Sequence, residues 1–159
     1  MIFFEKNKSI YLFCLLILLI LLCFFNAPLV WSTEDEESYA IFSMHGVYDN
    51  FSKSKARMIY RGKIKSLGKK KIQLSDWPDN AIEKQEFYDV LLGQTLSQVN
   101  GYWASLAFSG KAKQPSTIDT SDISALVDWL QKHPNGIGYA PLSQLPKDAH
   151  VHVIISRGY

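Results

Sequence analysis

The stretch Thr95–Lys111, TLSQVNGYWASLAFSGK, has a marked beginning and a marked end, and it decides how the rest of the chain is interpreted. Thr95 can cap the N-terminus of a helix, and Gln98 follows at the three-residue spacing of a capping box. Gly110 stands where a left-handed C-terminal cap would lie. An apolar stripe recurs at helical spacing, formed by Leu96, Val99, Trp103, Leu106 and Ala107 and widened by Tyr102 and Phe108. The pattern predicts a helix whose aromatic face is buried against a sheet.

Short apolar runs bounded by turn-forming residues predict the strands of that sheet. They cover Tyr39–Met44, Lys71–Leu74, Ile137–Tyr139 and Val151–Ile155. Further helices are predicted over Ser52–Tyr60, from an N-cap at Asn80 with Glu83 as its capping-box partner to Gly93, and from near Ser121 to His133. Because helices link most of the strands, this order predicts an α/β domain with a mixed sheet flanked by helices.

The N-terminus carries an export or anchoring signal. Lys6 and Lys8 precede an apolar run of about 16 residues, Ile10–Phe25, which is long for a signal peptide and slightly short for a membrane span. Both a cleaved signal peptide and a retained membrane anchor remain open for residues 1–32. Residues 33–38 form an acidic tether, and residues 39–159 form the domain. Basic residues flank the apolar run Ile10–Phe25 only on its N-terminal side, and basic flanks stay in the cytoplasm. The domain that follows the run is therefore expected outside the cytoplasm, in the periplasm.

Cysteine and charge limit the function further. Cys14 and Cys23 both lie within the apolar run, so the domain is expected to have no disulfide. A formal net charge of +2 argues against a general nucleic-acid binder. The segment from Lys53 to Lys71 contains basic residues and no acid. It could face anionic lipid headgroups or an acidic partner, or it could be an ordinary solvated surface.

Three motifs, in order, resemble those of a known family. They are Phe51-Ser52 followed by Ile59-Tyr60-Arg61-Gly62-Lys63, then Tyr102-Trp103 with Phe108-Ser109-Gly110-Lys111, then His133-Pro134-Asn135-Gly136-Ile137-Gly138-Tyr139. This set is similar to the type 2 periplasmic solute-binding proteins, particularly the phosphate-binding subunits of ABC transporters. The resemblance implies a periplasmic-binding-protein-like α/β domain of one lobe that binds a solute without catalysis.

The resemblance also implies a changed ligand site. The family has an Arg-x-x-x-Ser-Gly-Thr segment that donates to phosphate, and the matching place here, Ser75–Glu83, reads SDWPDNAIE without an arginine. The segment Ser75–Asn80 is a cluster of turn-forming residues and is predicted to be a turn. Ser75, Asp76 and Asn80, together with the loop His45–Asn50, are the expected site for an oxyanion such as phosphate, and that site is expected to be weak or altered. The alternative is an accessory module that has lost small-molecule binding. Its basic face, or an exposed Trp77, would then meet an envelope or membrane protein.

Other candidate sites are weaker. His150 and His152 share one face of the last predicted strand and could ligate a metal, but exposed strand histidines are the simpler interpretation. The sequence contains no nucleophile signature, so we expect no enzyme activity, no cofactor and no metal. Trp103 is expected in the core. Membrane contact is expected only through the N-terminal apolar segment, if it is not cleaved.

Overall fold

A computed structural model of the protein describes Leu15 and residues 37–157. The predicted signal peptide or membrane anchor, residues 1–32, therefore lies outside the described residues except for Leu15, and so does most of the acidic tether. Within the described part of the chain, no helix is both long enough and apolar enough to cross a membrane.

The domain is a mixed sheet flanked by helices, as the sequence predicts. The strands are β1 (Tyr39–Ser43), β2 (Ser66–Leu67), β3 (Lys70–Lys71), β4 (Gln73–Asp76), β5 (Ser116–Thr117), β6 (Gly136–Pro141) and β7 (His150–Ile155). The helices are α1 (Lys53–Tyr60), α2 (Ile82–Leu92), α3 (Leu96–Phe108) and α4 (Ile123–Lys132), with a 3-10 turn at Leu142–Gln144. Five strands form the main sheet in the order β5-β4-β6-β1-β7, and β2 and β3 form a separate hairpin.

Strand direction decides which residues share an edge of the sheet. β4 runs parallel to β5 and β6, whereas β1 runs antiparallel to β6 and β7. Tyr39, the first residue of β1, pairs with Pro141, the last residue of β6. The end of β4 therefore lies at the same edge as the start of β1. The loop that follows β1 lies at the opposite edge.

The helix α3 begins and ends as the sequence predicts. Thr95 and Gln98 form both hydrogen bonds of a capping box, and Gly110 has a φ of +67°. Val99 and Trp103 are buried, and the main neighbour of α3 is the helix α2 and not a strand of the sheet, which is where the sequence predicted it. The predicted stripe is too wide, because Ala107 and Phe108 are exposed where the helix extends beyond α2.

Phe108 is 98% exposed, so its ring contributes almost nothing to the core. We expect the substitution Phe108→Ser to change the free energy of unfolding by less than about 0.5 kcal/mol. The buried control Val99→Ala should lower it by about 1 kcal/mol or more. Urea denaturation of both variants measures the two values. A loss above about 1 kcal/mol in Phe108→Ser would show that this ring is covered in solution.

Two strands differ from the prediction. The strand predicted over Lys71–Leu74 lies instead at Gln73–Asp76, because Lys70 and Lys71 belong to the β2-β3 hairpin. The strand β5 lies in a segment predicted as a polar connection. Ser116 and Thr117 carry no apolar pattern and are held by pairing with Ser75 and Asp76.

Candidate functional site

Ser75 is a buried strand residue and does not lie in the predicted turn. Its side chain is 1% exposed, and its hydroxyl donates to the carbonyl of Ile137 at 3.2 Å on the neighbouring strand. Gly138 makes room for it, since a Cβ there would lie 2.8 Å from the Ser75 Oγ. Ser75 therefore joins β4 to β6 and is closed to a ligand from solvent.

Asp76 ends β4 and is only 5% exposed, although the sequence predicts a turn there. Its Oδ1 accepts from the backbone N–H of Trp77 at 3.1 Å and from the hydroxyl of Tyr139. Its Oδ2 accepts from the hydroxyl of Tyr88 at 3.2 Å and lies 3.1 Å from the Nζ of Lys84. Four donors thus surround this carboxylate.

Lys84 is the cation of the site, although nothing in the sequence pattern distinguishes it from the other lysines. It is the third residue of α2, in the first turn, is 4% exposed, and its Nζ is 2.7 Å from the Oδ1 of Asp79. Burial acts to lower the pKa of Lys84, but attraction to Asp76 and the hydrogen bonds to both carboxylates outweigh it and raise that pKa. Lys84 is therefore charged and shared between two aspartates.

The two aspartates differ in protonation behaviour. Burial raises the pKa of the Asp76 carboxyl, and the nearby Lys84 together with the hydroxyls of Tyr139 and Tyr88 offsets only part of that rise. The hydrogen bond and charge of Lys84 lower the pKa of the exposed Asp79, which also accepts from the Nδ2 of Asn100 at 3.0 Å. Asp79 thus fixes Lys84 from the solvent side.

A cluster of aromatic rings closes the site from the inside. The rings of Phe87 and Tyr139 stack with centroids 3.5 Å apart, and Tyr60 packs edge-on against both. Burial, followed by the charge of Asp76, raises the pKa values of Tyr60, Tyr88 and Tyr139, which keeps their hydroxyls protonated. These rings therefore pack beside Asp76 on the inner side of the site.

Asn80 does not cap the helix that follows it. The N-cap of α2 is Ala81, which makes no side-chain hydrogen bond, and its backbone N–H donates to the carbonyl of Pro78 at 3.0 Å. The predicted capping box between Asn80 and Glu83 is therefore wrong, because the turn at Pro78 delays the helix. Asn80 is exposed, and it alone of the three expected site residues can reach a ligand.

Carboxylates also crowd this edge. The Tyr39 hydroxyl donates to the Glu86 Oε2 at 2.7 Å. Burial raises the pKa of Tyr39, and Glu86, Glu37 and Glu83 raise it further. Three acids therefore lie near the Tyr39 hydroxyl, beside the start of α2. Their field opposes the binding of an anion at that helix start.

The loop His45–Asn50 lies at the other edge of the sheet, and the structure does not bring it to Ser75–Asn80. The Tyr48 hydroxyl donates to the carbonyl of Asn135 at 3.1 Å, next to the start of β6. The His45 Nε2 donates to the carbonyl of Gln131 at 3.0 Å in the last turn of α4. The expected two-part site is therefore not assembled.

Two further sequence expectations need correction. Trp77 is 1% exposed and its Nε1 donates to the carbonyl of Tyr139 at 2.8 Å, so it cannot meet a partner. His150 is exposed as expected, whereas His152 is 3% exposed and pairs with the Oγ of Ser43 at 2.9 Å. Residues 37–157 contain no group of three or more potential metal ligands.

Comparisons with known proteins identify the type of fold. No family model and no curated protein matches the sequence. Two similar solved structures are one described as a phosphate ABC transporter substrate-binding protein from Clostridium perfringens, solved with bound phosphate, and an ABC-type phosphate transport receptor from Vibrio cholerae. The TM-score is 0.54 for both, with identities of 15% and 10% over 72% and 76% of this chain.

The class of fold follows from this likeness. The chain has a periplasmic-binding-protein-like fold, as its motifs indicate. It spans 44% of the Clostridium protein and 54% of the Vibrio protein, which is about half the length of each.

Proposed function

We propose that this chain is a non-catalytic, exported, solute-binding-like protein related to the phosphate-binding subunits of ABC transporters, with an altered ligand site. The single observation that carries the proposal is the state of Asp76, which is buried and surrounded by four donors within a periplasmic-binding-protein-like fold. In this proposal the Asp76 carboxylate takes the position at which the relatives are expected to have donors to phosphate. Lys84, Tyr88 and Tyr139 hold that carboxylate in place.

The charges at the edge support an altered site. Phosphate needs cationic or N–H donors, and Lys84 is already committed to Asp76 and Asp79. The amides at the start of α2 have no side-chain cap, but Glu83 lies in that first turn. A phosphate dianion there would face carboxylates without a free cation among these residues.

An accessory module without small-molecule binding is the second candidate function. The burial of Ser75 and Asp76 favours it, since two of the three expected ligand residues are closed to a solute from solvent. The partner would be an envelope or membrane protein. Trp77 plays no part in this version, because it is buried.

A phosphate titration followed by residue-resolved NMR tests the proposal. In the full chain, purified in a neutral detergent, we expect the amide signals of Asn80, Ala81 and Ile82 to show no saturation with inorganic phosphate below about 100 μM. The reason is the carboxylate field around the helix start. Sodium chloride at matched ionic strength is the control, and the amide of Val153 on β7 serves as an internal reference.

Saturation of the Asn80–Ile82 signals below about 100 μM, corresponding to about −5.5 kcal/mol, would contradict the altered site and establish a working phosphate site at this edge. Signals from residues far from the start of α2 do not bear on this test.

A further inference from the structure

A cleft of about 510 Å³ lies at the edge of the sheet opposite Asp76. It is bounded by the hairpin β2-β3, the turn after α3, and the starts of β4 and β5. The ends of α1 and α4 complete its wall. A cleft of this size suits an organic molecule far larger than inorganic phosphate.

The charged residues that line the cleft are all basic. Lys65 and Lys71 come from the hairpin side, and Lys111 and Lys113 come from the connection between α3 and β5. No aspartate or glutamate is among the lining residues. Within residues 37–157 none of these four lysines forms an ion pair. The Lys65 Nζ donates to the carbonyl of Lys111 and so joins the two sides.

Helix ends are the competing explanation for these lysines, because three helices finish here. Each helix C-terminus carries about −0.5 of an elementary charge, so three ends supply about −1.5 against four lysines. Part of this negative charge is already offset by hydrogen bonds to the terminal carbonyls of the helices. The backbone N–H of Lys63 donates to the Met58 carbonyl, and the backbone N–H of Lys111 donates to the Leu106 carbonyl. The cleft therefore keeps a net positive charge.

One wall of the cleft is a fixed aromatic pair. The rings of Trp129 and His133 stack with centroids 3.9 Å apart and an interplanar angle of 15°. The His133 Nδ1 donates to the carbonyl of Trp129 at 2.6 Å, which holds the imidazole on the indole and leaves Nε2 for another partner. A flat or sugar-like group can lie along such a wall.

We propose that this cleft binds a small organic phosphate, with its anionic oxygens on Lys71, Lys111 and Lys113 and its uncharged part along the Trp129–His133 wall. Lysines bind phosphate as point charges and not through a fixed bidentate geometry. The site therefore selects a ligand by its negative charge and its size, and not by the arrangement of its phosphate oxygens. This inference goes beyond the proposed function, because the site lies at the other edge of the sheet from Asn80.

Calorimetric titration of the full chain in a neutral detergent tests the inference. The probes are ATP and glucose 6-phosphate. Inorganic phosphate and glucose are the controls, because each carries only the anionic part or only the uncharged part of glucose 6-phosphate. We expect an organic phosphate to bind with a Kd tighter than about 100 μM and glucose not to bind. Raising the salt concentration to about 1 M should weaken binding, since the Debye length falls to about 3 Å.

A charge-matched pair of double variants assigns the binding to the cleft. The variant Lys71→Gln/Lys113→Gln removes one lysine from each side and should weaken binding at least tenfold, because two of the three proposed lysine partners of the phosphate are lost. The variant Lys55→Gln/Lys147→Gln removes two exposed lysines that do not line the cleft and should leave the Kd unchanged. Equal thermal unfolding midpoints confirm that both variants fold.

Three outcomes would overturn the inference. They are the absence of binding by either organic phosphate, an equal loss in both double variants, and binding of inorganic phosphate as tight as that of glucose 6-phosphate. In the first of these cases, co-sedimentation with phosphatidylglycerol vesicles would assign the basic surface to a membrane instead. None of these outcomes depends on the amides of Asn80–Ile82, so failure here leaves the proposed function standing.

Discussion

Replacing Lys84 with methionine is expected to lower the free energy of unfolding by about 3–5 kcal/mol at neutral pH. Methionine keeps the apolar length of the side chain but removes the charge 3.1 Å from the Oδ2 of Asp76. The carboxylate would then be 5% exposed with no cation beside it. Removing one partner of a buried ion pair is far more destabilising than the pair is stabilising, because the remaining charge stays desolvated.

The loss of unfolding free energy caused by Lys84→Met should become smaller as the pH falls. Burial already raises the pKa of Asp76 in the native protein, and loss of Lys84 removes the main opposing attraction. The folded state then binds this proton at a higher pH than the unfolded chain, whose aspartate titrates near 3.9. Stability therefore falls as the pH rises through that window, and it is recovered as the pH falls from neutral toward about 4. Urea denaturation at several pH values measures this recovery.

Two further variants separate charge from packing. The exposed control Lys55→Met should change the stability by less than about 0.5 kcal/mol. In the double variant Asp76→Asn/Lys84→Met the buried charge is gone, so its loss should be clearly smaller than the sum of the two single losses. Additive losses, or a loss below about 1 kcal/mol in Lys84→Met, would mean that Asp76 is not held by Lys84.

Local signals at the helix ends could be predicted from the sequence because each needs only neighbouring residues. The capping box of Thr95 and Gln98 and the glycines at 93 and 110 all have the predicted geometry. The family resemblance, carried by these and similar short motifs, led to the correct fold. Ends that depend on the chain beyond the helix were predicted less well, as at Asn80, where the turn at Pro78 moves the cap to Ala81.

The character of the candidate site could not be predicted, because it is made by distant residues. Asp76 reads as part of a polar turn, but its partners Tyr88 and Tyr139 stand 12 and 63 positions further along the chain. The direction of each strand within the sheet also could not be predicted from the sequence. Because β1 runs antiparallel to β6, the loop His45–Asn50 falls at the edge away from Asn80. The basic run from Lys53 to Lys71 was visible in the sequence, but the cleft it helps to line was not.

Acidification below pH 6.5 is expected to destabilise the domain through His152 by about 3 kcal/mol in total. Burial lowers the pKa of His152 to about 4, with a further lowering from His150 and an opposing effect of Asp49. An unfolded histidine titrates near 6.5, and each unit of difference corresponds to about 1.4 kcal/mol. Between pH 6.5 and 4 the unfolded chain binds more protons than the native state, so stability is lost as the pH falls through that window.

The hydrogen bonds around His152 explain why it stays neutral. The Ser43 hydroxyl donates to the carbonyl of His45 at 2.8 Å, so its oxygen must accept from the His152 Nε2 at 2.9 Å. The His152 Nδ1 is then unprotonated, and it is buried without a hydrogen-bond partner among the described residues. Phe51 stacks on the imidazole with centroids 5.5 Å apart. Protonation would place a charge and an unpaired N–H in this apolar contact.

The variant His152→Gln should remove about 3 kcal/mol of the acid-induced loss between pH 6.5 and 4, whatever its stability at neutral pH. The control His150→Gln removes the exposed histidine of the same strand and should keep most of the loss. Asp76 acts in the opposite direction in this pH range, but it is present in all three proteins and cancels from the comparison. Urea denaturation at half-unit pH steps gives the three curves. Identical pH dependence in the native protein and in His152→Gln would show that this histidine is accessible to protons without unfolding.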